Sequence, residues 1–114
     1  MSADLEIAKR FGDLVAKQDY EGARALLTDE ARAAHTPEQL REAVEAMTGD
    51  APGPIREVSV MEEFVVREWP GKQPCDVAVA YVALNGDRFS EAVNVTIVQA
   101  GGDWRIRRLE WGRP

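Results

Sequence analysis

A chain of 114 residues, 45% apolar and 30% charged, fits one globular domain over residues 1–114 and is too apolar for a disordered polymer. Its net charge of −6 argues against nucleic acid, which is bound through a basic excess. The single cysteine, Cys75, excludes an internal disulfide, no apolar run approaches a membrane span, and the acidic start Met1-Ser2-Ala3-Asp4 is unlike a signal peptide, so a cytoplasmic protein with no membrane partner is expected.

Residues 1–50 carry most of the negative charge, with 11 Asp/Glu against 6 Lys/Arg. Ser2 is placed to cap a first helix, with Asp4 and Glu6 in the first turn where the helix dipole favours anions. Ile7, Phe11, Leu14 and Val15 then fall on one face, which predicts a helix to about Lys17. A break near Gln18-Asp19 precedes a second helix from Tyr20 to about Leu27, and Thr28 can cap a third to about Ala34. Thr36-Pro37-Glu38-Gln39 reads as a capping box with proline at the first helical position. The helix it starts carries Leu40, Ala43, Val44 and Met47 and ends at Gly49, and Ala51-Pro52-Gly53-Pro54 reads as an internal joint.

Beyond that joint the period changes to two, and four strands are predicted. They run from Ile55 to Glu68, Asp76 to Leu84, Arg88 to Gln99 and Trp104 to Trp111. Asn85-Gly86 and Gly101-Gly102 are the hairpin turns, since these residues tolerate positive φ. Helices followed by an antiparallel meander make an α+β fold, with the helices packed on a bent four-stranded sheet.

The first hairpin leaves two registers open. A three-residue loop Asn85-Gly86-Asp87 sets Tyr81 opposite Glu91; a two-residue loop sets Ala80 there. The three-residue loop is preferred, because it gathers Val77, Val79, Tyr81, Phe89, Val93, Val95 and Ile97 on one face. Pairing Ile97 with Ile106 and continuing without interruption adds Arg108 and Glu110 to that face. A bulge near Arg107 would instead turn Leu109 and Trp111 inward and Arg108 outward. The opposite face, with Ala78, Ala80, Val82, Ala92 and Val98, is also apolar. The helices can cover only one face, so a second copy of the chain is the expected cover for the other, giving a homodimer.

The run Phe11…Gln18-Asp19-Tyr20-Glu21-Gly22-Ala23…Leu26-Leu27, then Thr36-Pro37-Glu38-Gln39-Leu40, then four strands closing on Asp103-Trp104-Arg105-Ile106, resembles the nuclear transport factor 2-like superfamily. It is most similar there to small bacterial domains with a Thr-Pro-Glu-Gln-Leu helix in the middle. The resemblance implies a cystatin-like cone, in which a bent sheet wraps a long N-terminal helix. Isomerases, dehydratases and cyclases share that fold with non-catalytic binding and dimerisation modules. The ketosteroid isomerase branch places an oxyanion-holding tyrosine on its first helix, where this chain has Phe11, and its base would fall near His35.

The residues themselves supply few reactive groups. His35 is the only histidine, so no histidine cluster can hold a metal, and it suits a helix C-terminus. Cys75 reads as a small buried or half-buried residue with no partner base. Arg105, Arg107, Arg108 and Arg113 form a local basic strip that reads as a solvated strand edge. The best constellation is Tyr81, Glu91, Arg108 and Glu110, with Trp104 and Phe11 as further lining of a cone pocket. No cofactor and no metal are expected. The reading is a non-catalytic ligand-binding or dimerisation module. The alternatives are a small isomerase or dehydratase acting on an apolar substrate in the cone, and an acidic inhibitor of a basic protein.

Overall fold

A computed structural model describes residues 1–49 and 53–112. The first half of the predicted joint 51–54 and the end of the arginine strip at Arg113 lie outside the described residues. Four helices come first: α1 (Ala3–Ala16), α2 (Tyr20–Ala25), α3 (Asp29–Ala34) and α4 (Pro37–Thr48). Then follow β1 (Glu57–Val60), a 3-10 turn (Glu62–Phe64), β2 (Asp76–Asn85), β3 (Ser90–Ala100) and β4 (Asp103–Trp111). The strands form one open antiparallel sheet in chain order, an α+β fold of cone-like form.

Local chemistry accounts for the helix boundaries. Gln18 adopts φ 62 and reverses the chain after α1, and Asp19 then accepts a hydrogen bond from Gly22 N to start α2. Thr28 caps α3 through Ala31 N, and His35 sits at the C-cap of α3. The box at α4 is complete: Gln39 N donates to Thr36 Oγ1 at 3.1 Å and Thr36 N to Gln39 Oε1 at 2.9 Å. Ser2 occupies the N-cap of α1, but its hydroxyl donates to Asp4 Oδ1 and leaves the helix N–H groups alone.

Two expectations about the sheet need correction. The first strand does not run from Ile55 to Glu68; it stops at Val60, turns through Glu62–Phe64 and forms one further bridge to the sheet, where Val66 pairs with Val79. The first hairpin does not turn at Asn85-Gly86. Asn85 pairs with Ser90, and Gly86 N donates to Phe89 O at 3.0 Å, which leaves Asp87 and Arg88 at the tip. Gly86 is needed for space: a Cβ there would lie 2.4 Å from Phe89 Cε2 and 2.9 Å from Pro54 O.

That turn sets Tyr81 opposite Asn94 and brings Val93, Val95 and Ile97 beside Val82, Ala80 and Ala78. The small-residue face of β2 is therefore the core face, the reverse of the expected one. The reason is proximity of α1, whose Gly12 lies so near the sheet that a Cβ would be 2.6 Å from Val58 Cγ1 and 2.8 Å from Val82 Cγ1. Tyr81 is too large to fit under a helix at that approach, and the alternation of the strand carries Val77 and Val79 to the other face with it.

At the second hairpin Gly101 and Gly102 take φ 59 and 85, and Ile97 pairs with Ile106 as expected. Arg107 is then an extra residue, so Leu109 and Trp111 pair with Val95 and Val93 on the core side while Arg108 pairs with Thr96 on the outer side. The bulge considered from the sequence is thus the one present. The core that results holds Phe11, Val15, Leu27, Leu40, Leu84 and Ile106, all at most 1% exposed. The joint between α2 and α3 also closes the β4 edge: Ile106 N donates to Leu26 O and Thr28 N to Ile106 O.

Candidate functional site

The face of the sheet away from the helices carries the most exposed large apolar side chains after Met1. Phe64 is 55% exposed and meets the Tyr81 ring edge-on, with centroids 5.5 Å apart. Val66 is 42% exposed and pairs with Val79. Tyr81, Val79 and Ala83 are half-buried beside them on the same face. Arg108 and Glu110 are further along that face; they are 3.5 Å apart, and their side chains are 61% and 59% exposed.

Two buried carboxylates pin the irregular parts of the chain. Asp76, at the start of β2, has a fully buried side chain held side-on by Arg107: Nε donates to Oδ1 at 2.8 Å and Nη2 to Oδ2 at 2.7 Å. Gln73 N adds a third hydrogen bond at 2.8 Å. These bonds, Arg107 first, hold the Asp76 carboxyl below the ordinary carboxylate range although burial works against them. The Arg107 fork spans β3, and it exists because the β4 bulge gives Arg107 a position outside the regular pairing. At the start of α1 burial pushes the Asp4 carboxyl up, but hydrogen bonds from Arg67 Nη1 (2.7 Å) and Ser2 (2.6 Å) outweigh it and leave the pKa lowered.

A groove of about 430 Å³ opens beside the Asp76–Arg107 pair, between the start of α3, the segment before β2 and the β3–β4 hairpin. Leu27, Val98 and Ala100 supply its apolar part. Arg105 and Arg107 line the β4 side, Asp29 and Glu30 the α3 side. Cys75, expected to be buried or half-buried, is exposed and lines this groove, because Pro74 and Cys75 precede the paired part of β2.

The residues singled out from the sequence are not brought together. Tyr81, Arg108 and Glu110 share the outer face, whereas Glu91, near the start of β3, pairs with Leu84 on the core side. Phe11 has no accessible surface and packs against Trp111 at 6.2 Å between ring centroids, so it lines no hollow. Trp104 is half-buried against the core and borders a second, smaller groove with Arg10 and Arg105. Asp76, Arg107 and Arg67 were missed as partners. Their contacts span 31 and 63 residues, and no local pattern announces them.

By its architecture the chain is an α+β domain with helices on one face of an open sheet and two buried carboxylates each paired with an arginine. Compared with known proteins, it matches no family model, no curated protein and no solved structure. Among the described residues no helix is long and apolar enough to cross a membrane.

Proposed function

We propose that this chain is a non-catalytic binding module of the nuclear transport factor 2-like kind, working in the cytoplasm as a homodimer joined through the outer face of its sheet. The observation that carries this reading is the exposed Phe64–Val66 patch stacked on Tyr81 and Val79, on the face that no helix covers. An apolar patch of this kind is costly in water unless a partner covers it. Arg108 and Glu110 favour a second copy as that partner. Opposite charges side by side on one face become complementary to themselves when a twofold axis brings two such faces together.

The catalytic alternative has less support. It needs Tyr81, Glu91, Arg108 and Glu110 to converge with Phe11 on one apolar substrate, and these residues are divided between the two faces of the sheet and the sealed core.

Sedimentation equilibrium tests the homodimer. The wild-type protein is expected to run as a dimer at micromolar concentration, and Phe64→Glu to run as a folded monomer, since this side chain contributes little to the core. A wild-type monomer across the micromolar range overturns the reading.

A further inference from the structure

We infer that the groove beside Asp76 and Arg107 binds a small zwitterion with an aliphatic body, of the size and charge pattern of a free amino acid. This deepens the binding-module reading and rests on it, but not on self-association. The volume, about 430 Å³, is that of a small-molecule site, for which roughly 300–1,000 Å³ is usual. Its apolar part is Leu27, Val98 and Ala100, which gives an alkyl group somewhere to leave water.

The polar groups on the rim decide the ligand class. Arg107 spends Nε and Nη2 on Asp76, which fixes the guanidinium in place and leaves Nη1 with no protein acceptor among the described residues. A guanidinium held rigid by a buried carboxylate loses little freedom when it binds a second carboxylate. Arg105, with Nη2 3.6 Å from Asp103, stands beside it on β4. Across the groove Glu30 is exposed with no ion pair among the described residues, while Asp29 is bound to Arg32.

Asp29, Glu30, Asp76 and Asp103 against Arg105 and Arg107 leave the lining with a net charge of about −2. A simple carboxylate would meet that excess and a simple amine would meet the guanidiniums. A molecule bearing both charges answers both sides of the rim, its carboxylate on Arg107 and Arg105 and its ammonium on Glu30.

Cys75 supplies the assay, because the chain's single thiol lines the groove and is exposed. The rate of Cys75 alkylation by N-ethylmaleimide is measured against three probes of one shape: leucine, 4-methylpentanoate and 3-methylbutylamine. Leucine is expected to slow alkylation saturably in the millimolar range, with each singly charged probe about tenfold weaker. Glu30→Gln and Arg105→Gln, both at solvent-exposed or half-exposed positions, are each expected to weaken leucine protection about tenfold. The folded Phe64→Glu variant is expected to be protected like wild type, which separates this site from the dimer. No protection by leucine, or equal protection by all three probes, overturns the proposal.

Discussion

Gly12 shows how one residue sets the spacing of a whole layer. It lies in the middle of α1, where alanine would ordinarily favour the helix by about 1 kcal/mol. Here the missing side chain lets the helix sit against Val58 and Val82, and the Cβ of an alanine would lie under 3 Å from both. Both valines are stiff at χ1, Val82 is fully buried in the core and Val58 packs against it, so neither can move aside cheaply. Overpacking of this kind costs about 1–3 kcal/mol, more than the propensity gain. Gly12→Ala is therefore expected to destabilise the protein by about 1 kcal/mol or more in urea unfolding. An unchanged or raised midpoint would show that α1 can slide away from the sheet. At Arg107 the lesson is different: the residue was legible as one of a basic strip, but its partner was not, because only the bulge carries it to Asp76.

Among the elements, α4 is the one whose start follows most directly from its residues. Thr36, Pro37 and Gln39 satisfy orphan N–H groups with side chains from the same turn, so no distant contact is needed. Thr36→Ala removes the acceptor for Gln39 N and is expected to cost about 1 kcal/mol, with Thr36→Ser recovering most of it in thermal unfolding. The strands behave otherwise. A two-residue difference in where the Asn85–Ser90 hairpin closes suffices to exchange neighbours along a sheet, and an odd offset exchanges its faces. Here the hairpin closes with Asp87-Arg88 at its tip, and in that register Ala78, Ala80 and Val82 face the helices.

For the whole molecule, Asp4 and Asp76 tie the segment between β1 and β2 and the start of β2 to the rest of the fold through Arg67 and Arg107. Both carboxyls are held below the ordinary aspartate value, so the stability they add is fully present above the unfolded carboxylate pKa, about 3.9, and is lost as pH falls through their folded values. Urea midpoints are expected to change little from these groups between pH 7 and 5 and to fall below about pH 4. Asp76→Asn leaves a largely buried guanidinium without its counter-charge. It is expected to cost about 2–4 kcal/mol at pH 7, somewhat under the usual figure for a buried pair because the Arg107 side chain is 24% exposed, and to flatten the acid limb. An acid limb as steep as that of wild type would place the proton-linked stability elsewhere.

What the sequence by itself determined is the order of the elements and most of their ends: Thr28, Thr36, Asp19 and Gly49 act within one turn of chain, and the change of period after residue 54 separates helices from strands. It also held the β4 bulge as one of two options. Only the tertiary structure decided which face of the sheet is buried and which residues meet, since register depends on how close α1 can come to the strands. The same dependence scattered Tyr81, Glu91, Arg108 and Glu110 and assembled the groove around Asp76 and Arg107 from segments far apart in the chain. Charge and periodicity act between neighbours along a sequence, whereas ion pairs and grooves are made by neighbours in space.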